Sequence, residues 1–207
     1  MESALRGSAG DVRLIETMLW DGSGFPRLAL HLARLAAGAG ALGFPCDPAA
    51  IRAALTAAVG EGPLRVRLTL GPRGDVEVTV AALPATKADW RLGLAAARLS
   101  SEDPWLRVKS TQRAAYDAAR AALPAGIDEV VFLNERGEVC DGTITTVFFD
   151  RGQGMRTPPL ACGLLPGVLR AELALPEEVL QAADLPRVRL WVGNALRGLI
   201  PAVWAGS

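Results

Sequence analysis

Hydrophobic and polar residues alternate strictly over Leu64–Leu70 (Leu-Arg-Val-Arg-Leu-Thr-Leu) and again over Asp75–Val80. That period of two predicts strands with one buried face, and the Gly-Pro-Arg-Gly between them predicts a hairpin. Upstream, Val12–Trp20 collects β-branched and large apolar residues and stops at the Asp-Gly-Ser-Gly of 21–24, so it reads as another strand. The period then changes. Leu28, His31, Leu32, Leu35, Ala36 and Leu42 recur at roughly helical spacing, predicting a helix over Leu28–Ala41 that Gly43 and Pro45 end. Asp47 ahead of Pro48 supplies an N-cap and a first helical residue for a second helix, running to about Val59. Arg91–Leu99 is expected as one more strand.

Residues 100–108 change character and read as a connector. A helix is expected from Ser110 or Thr111 through Ala122, ended by the Leu-Pro-Ala-Gly of 123–126. Strands follow over Glu129–Asn134 and Val139–Asp150, joined by a Glu-Arg-Gly turn. A loop rich in proline and glycine (157–167) leads to a helix over Val168–Leu175, and a late strand over Val188–Val192 runs into Gly193-Asn194-Ala195. The pattern therefore gives an α+β chain of two lobes, 1–100 and 109–207, joined at 101–108. It holds no repeat and no low-complexity tract.

Composition narrows the function classes. In 207 residues, 22 basic and 22 acidic side chains cancel, so the chain lacks the positive field that nucleic acid or an anionic membrane recognises, and neither is expected as a partner. Mean hydropathy is +0.24, yet no apolar run approaches the roughly 18 residues that span a bilayer. The first residues lack the layout of a signal peptide, so a cytoplasmic location is expected. Cys46, Cys140 and Cys162 are too scattered for a disulfide framework, and with one histidine they make a poor metal set. Arginine supplies 20 of the 22 basic residues, leaving Lys87 and Lys109 as the two lysines. An amine cannot be replaced by a guanidinium in Schiff-base chemistry, which makes each lysine worth testing.

Lys109, just ahead of an expected helix, is either a solvated lysine or an amine whose ammonium form the positive helix terminus disfavours. Gly163-Leu-Leu-Pro-Gly-Val-Leu-Arg170 is either a plain loop before a helix or an anion site built on the N–H groups of Val168 and Leu169. Asn194 is either a turn former or a second phosphate clamp. Asp141 lies near the start of an apolar strand, where burial requires a cationic partner, unless it simply occupies a surface turn. His31 shares its helix face with Leu28, Leu32 and Leu35 and reads as a packed histidine. Arg34 is either a surface arginine or an inward phosphate contact. The five tryptophans share no period and read as core or interface.

Taken in order, these segments resemble class IV pyridoxal-phosphate aminotransferases, the family of branched-chain and D-amino-acid aminotransferases and of 4-amino-4-deoxychorismate lyase. The similarity runs from Leu14-Ile-Glu-Thr to Asn194-Ala-Leu-Arg-Gly. Asn134-Glu-Arg-Gly-Glu-Val, Thr157-Pro-Pro-Leu and Gly163-Leu-Leu-Pro-Gly-Val-Leu-Arg are most similar to the lyase branch and to the lyase-like domain fused behind aminodeoxychorismate synthase. The resemblance implies the fold-type IV architecture of D-amino-acid aminotransferase, with pyridoxal 5′-phosphate in the cleft between two α/β lobes of a homodimer. It implies that Lys109 forms the imine with the cofactor and later shuttles a proton. Arg34, the Val168 and Leu169 amides and Asn194 would hold the phosphate, and Asp141 would pair with the ring nitrogen. Thr17 matches a proposed proton donor of the lyase branch.

Aspartate at 141 is one methylene shorter than the family's glutamate, with Glu138 as a fallback partner on the opposite face of the strand. Thr146 stands where the motif has asparagine, and the chain begins close to the Glu-Thr segment. The resemblance implies a lyase that releases pyruvate from 4-amino-4-deoxychorismate, with a functional link to a synthase. The alternatives are an aminotransferase for branched-chain or D-amino acids and a degenerate, non-catalytic member.

Overall fold

The alternation of Leu64–Leu70 becomes the middle strand of a three-stranded antiparallel sheet in the computed structural model, which describes Leu5 and residues 10–206. Strand β1 (Leu14–Trp20) pairs with β2 (Leu64–Leu70) from Leu14↔Leu70 to Trp20↔Leu64, and β2 pairs with β3 (Val76–Ala82). Val66, Leu68 and Leu70 are buried while Arg65 is exposed, as the period requires. Helix α1 (Leu28–Leu42) lies on β1 so closely that a Cβ on Gly38 would stand 3.0 Å from Leu14 Cδ2. Gly43 ends it in the left-handed region (φ 76°), and its neighbour's N–H reaches back from Phe44 to Ala39 O. Helix α2 (Pro48–Ala58) lies on β3, and its N-cap is the expected one: Asp47 accepts from Ala49 N at 2.8 Å.

The second sheet closes on itself. Strands β4 (Trp90–Leu99), β5 (Glu129–Asn134), β6 (Val139–Gly142), β7 (Thr146–Asp150), β8 (Arg189–Asn194) and β9 (Gly198–Trp204) form a barrel in that order, with β4 parallel to both β5 and β9. Leu92, Val131, Leu133, Val139, Val147, Phe149, Leu190, Val192 and Ile200 form one buried cluster, drawn from alternate positions of every strand. Val130 and Phe132 point the other way, into a second cluster with Tyr116, Ala119 and Leu123 on and beside helix α3 (Ala114–Ala121). β5 is thus covered on both faces, and all six of its residues are buried. A short helix α4 (Val168–Leu173) packs on β8.

Two compact units result, Met1–Ala85 with Val108–Gln112 and Thr86–Arg107 with Arg113–Ser207. The expected boundary at residue 100 is replaced by one at Ala85, because β4 hydrogen-bonds to β5 and β9. The expected helix start at Ser110 or Thr111 moves to Ala114. Residues 109–111 instead run beside β1, with Ile15 N donating to Lys109 O (2.8 Å) and Thr111 N to Arg13 O (2.9 Å). The single strand expected over Val139–Asp150 folds into the β6–β7 hairpin. Strand β9 escaped the pattern because Pro201 interrupts it; Pro201 faces Trp191 of β8, one residue before β4 joins. Among the described residues, no helix is long and apolar enough to cross a membrane.

A polar network ties the β5–β6 turn to Ser101. Ser101 donates to Glu135 from its hydroxyl (2.6 Å) and its N–H (2.9 Å), and Arg136 bridges Glu135 and Glu138. The Ser101 donors hold the Glu135 carboxyl at about 2, and Arg136 with Asn134 holds Glu138 at about 2. Depressed carboxyls contribute stability that is present above their ordinary value of 4.5 and lost as pH falls toward 2. Arg136→Ala should therefore lower the urea midpoint at pH 7 and flatten its fall between pH 4.5 and 2. An acid limb identical to that of the parent would contradict this.

Candidate active site

A carboxylate on the buried face of β1 needs a reason to be there. Glu16 shares that face with Leu14 and Met18 and is 1% exposed, a position that costs several kcal/mol, on the order of 3 or more, without partners. Helix α1 supplies two partners from positions three apart, which share a helix face. Arg34 meets Glu16 as a fork, Nε to Oε1 at 2.8 Å and Nη2 to Oε2 at 2.6 Å, and His31 Nδ1 lies 2.6 Å from Oε2. Burial pushes the Glu16 carboxyl up, but Arg34 and then His31 outweigh it, and the net shift is downward. His31 Nδ1 gives its proton to the Glu16 carboxylate, and Nε2 is buried without a hydrogen-bond partner. His31 is thus the packed histidine expected. The fork holds one edge of the Arg34 guanidinium on Glu16.

Thr17 follows Glu16 and so projects from the opposite face of β1, half-buried, in register with Arg67 of β2. Lys109 lies in the extended segment beside Ile15, and its side chain is half-buried. The helix that was to act on this amine begins five residues later, so the helix-terminus argument for its reactivity does not apply.

The second unit carries the other candidates, around the β6–β7 hairpin. Glu129, fully buried at the start of β5, receives five hydrogen bonds. Thr143 gives two, from N (3.0 Å) and Oγ1 (2.5 Å). Ile144 N (3.1 Å), Thr145 Oγ1 (3.0 Å) and Val130 N (3.1 Å) give the rest, and Arg120 stands 3.6 Å away. This clasp bends residues 143–145 into the hairpin tip and places Asp141 in register with Thr146. Asp141 is buried, with Tyr116 Oη donating to Oδ1 (3.0 Å) and Leu165 N to Oδ2 (3.2 Å). The surface-turn alternative for Asp141 therefore falls away. Glu138, the fallback, is committed to Arg136 and Asn134.

Helix α4 starts against the same hairpin. Its N-cap Gly167 has no side-chain cap, and a Cβ there would stand 2.6 Å from Thr146 Oγ1. Val168 and Leu169 open the helix, and a Cβ on Gly193 would lie 2.7 Å from Leu169 Cδ2. Asn194, next in β8, donates Nδ2 to Ile144 O (3.1 Å) and accepts on Oδ1 from Leu196 N and Arg197 N. Its side chain is a turn former first, the plainer of the two sequence readings. Asp141, Val168, Leu169 and Asn194 thus gather around Thr146 in one unit, while Thr17, Arg34 and Lys109 belong to the other. Sequence reasoning passed over the roles of Glu16 and Glu129. The signal for Glu16 was a lone carboxylate at a buried position of an alternating strand. For Glu129 no local signal existed, because the hairpin groups that bond to it are fourteen to sixteen residues away.

Comparison with known proteins places this geometry. The profile of amino-transferase class IV matches residues 13–203. A candidate aminodeoxychorismate lyase from Schizosaccharomyces pombe is 35% identical over 167 residues, 77% of this chain and 72% of the relative. A solved candidate amino-acid aminotransferase from Mesorhizobium loti superposes with a TM-score of 0.90 at 45% identity, over 94% of this chain and 100% of that one. The 4-amino-4-deoxychorismate lyase from Pseudomonas aeruginosa does so with a TM-score of 0.80 at 25% identity, over 95% and 84%.

The Gly167–Thr146 approach gives a direct test. Thr146 is buried and β-branched, so its hydroxyl has little freedom to move aside. Gly167→Ala should cost about 1–3 kcal/mol in urea unfolding. Adding Thr146→Ala should recover most of that, because the next contact of the new methyl, Arg170 Cβ at 3.7 Å, is ordinary. Strictly additive losses in the double variant would show that the contact is not the cause.

Proposed function

The chain belongs to the class IV aminotransferases, and within that family we propose that it is a lyase converting 4-amino-4-deoxychorismate to 4-aminobenzoate and pyruvate. It is a pyridoxal 5′-phosphate-dependent enzyme, as its family requires, and a small-molecule substrate is consistent with that family. The residues suit that cofactor. They offer an amine for its aldehyde (Lys109), a pre-oriented guanidinium for its phosphate (Arg34) and a buried carboxylate for its ring nitrogen (Asp141). At Gly167 the backbone is bare of a side chain beside a hydroxyl. The observation that carries the choice of lyase is the 35% identity to the fission-yeast relative, together with a threonine at 17 where the lyase branch places a proton donor.

When bound, the cofactor supplies an electron sink that acidifies the substrate carbon next to the amine. The chain supplies the rest. Lys109 Nζ would hold the cofactor, take the proton from the substrate carbon that bears the amine, and pass it on to Thr17. Arg34, kept in place by Glu16, would bind the phosphate, helped by the Val168 and Leu169 amides and by Asn194. Asp141 keeps the ring nitrogen protonated. Thr17 gives a proton to the enolpyruvyl methylene as the C–O bond breaks and pyruvate leaves. A homodimer in the cytoplasm, fed by a synthase, belongs to the same reading.

The 45% identity to the Mesorhizobium protein favours a second reading, an aminotransferase for amino acids. One assay separates the two. The holoenzyme should release pyruvate from 4-amino-4-deoxychorismate, and Lys109→Ala should abolish both that release and the visible absorbance of bound cofactor. Glutamate formed from 2-oxoglutarate with branched-chain or D-amino-acid donors, and no pyruvate from a fully loaded enzyme, would establish the second reading instead.

A further inference from the structure

Asp141 is one of the positions at which this chain departs from the motif it resembles, with a carboxylate one methylene short, and the structure shows what has been built around it. Tyr116, on the first turn of α3, donates its hydroxyl to Asp141 Oδ1 at 3.0 Å. The tyrosine ring is held on two sides. Phe132 meets it edge-on with centroids 4.9 Å apart, and the Arg113 guanidinium lies 5.5 Å from its centroid. Arg113 is itself fixed, by Asp117 (2.7 Å) and by Thr143 O at the hairpin tip (2.9 Å). Burial and then the Asp141 charge push the Tyr116 hydroxyl well above its ordinary value, so it stays a phenol and stays a donor. The second carboxylate oxygen receives Leu165 N at 3.2 Å, from the loop that leads into α4.

We infer that Tyr116 is a positioning residue: its hydroxyl fixes the short carboxylate of Asp141 in one orientation and so sets how firmly that carboxylate holds the cofactor's ring nitrogen. The inference rests on the reading of Asp141 given under Proposed function. A carboxylate has two oxygens to orient, and here Tyr116 holds Oδ1 while Leu165 N holds Oδ2. A phenol donor also makes the carboxylate less basic, which keeps the shared proton on the ring rather than on Asp141.

The test is a double-mutant cycle on the holoenzyme, read by cofactor binding and not by turnover. Pyridoxal 5′-phosphate is titrated into apoenzyme, following its visible absorbance across pH, for the parent, Tyr116→Phe, Asp141→Asn and the pair, with the melting temperature of each apoenzyme recorded. Tyr116→Phe should weaken cofactor binding roughly tenfold, the order expected for one lost hydrogen bond to a charged group, and should shift the pH at which the bound absorbance titrates. In the Asp141→Asn background the same change should cost little more. If Tyr116→Phe lowers the melting temperature but leaves affinity and titration unchanged while Asp141→Asn alters both, the positioning role is wrong and the reading of Asp141 stands. If Asp141→Asn itself changes neither, the assignment of Asp141 to the ring nitrogen is overturned, and the role inferred for Tyr116 goes with it.

Discussion

The geometry of the second unit hangs on one carboxylate. Glu129 has no exposed surface, and its five hydrogen bonds come from the hairpin tip and from its own neighbour's N–H. An ion in that position is tolerable only because nearly every lone pair is used. The converse holds with equal force. Were the carboxylate removed, the N–H groups of Thr143 and Ile144 and two hydroxyls would lose their acceptor inside the barrel wall, each at a cost of about 1–3 kcal/mol. The hairpin therefore has one conformation available, and everything hung on it inherits that definition. Asp141 and Thr146 stand opposite each other at its base, Ile144 O receives Asn194, and Thr143 O receives Arg113.

The first unit uses the same device with a different partner chemistry. Glu16 is also buried, but two of its three partner atoms belong to a guanidinium and the third to an imidazole. Neutral donors suit Glu129 because its task is to shape backbone. A cation suits Glu16 because its task is to hold a cation. A guanidinium gripped along one edge is held in a fixed plane, which an arginine on a free stem is not. That arrangement leaves the side chain little conformational freedom. It also explains why Arg34, at a helical position open to solvent by sequence pattern, is only 12% exposed.

What the sequence revealed follows the range of the interaction concerned. The β2–β3 alternation, the α1 period with its Gly43 stop and the Asp47-Pro48 start of α2 are local, and each reappears within a residue or two. The helix start expected at Ser110 failed because Lys109–Thr111 are bonded to β1 and to Arg13 just before it, some hundred residues upstream. The unbroken strand expected through Thr143–Thr145 failed because three β-branched residues, strand formers by propensity, are outweighed by the acceptor on Glu129. The site followed the same rule. The residue types proposed for it come from the resemblance, and in the sequence Asp141 read as either a surface-turn residue or a buried carboxylate in need of a partner. That the partner in this unit is a phenol from α3 lies beyond any local pattern.

The placement of Lys109 bears on how its amine can work. Its carbonyl accepts from Ile15, and the residue two along is bonded to Arg13 in both directions, through Thr111 N to Arg13 O and Arg13 N to Thr111 Oγ1. The backbone on which the amine rides is thus stitched to β1, and motion of the amine is confined to its own side-chain bonds. A base that must take a proton from one atom and deliver it to another needs reach with a fixed pivot, which a lysine on a pinned extended segment provides and a lysine on a fraying helix end does not. Thr17 rides on the strand that forms the other side of that stitching, two residues beyond Ile15 and on the same face of β1. The proton acceptor and the proton donor proposed for the lyase reaction are therefore carried on one hydrogen-bonded backbone frame. Their relative position depends on β1 alone, and not on any helix terminus.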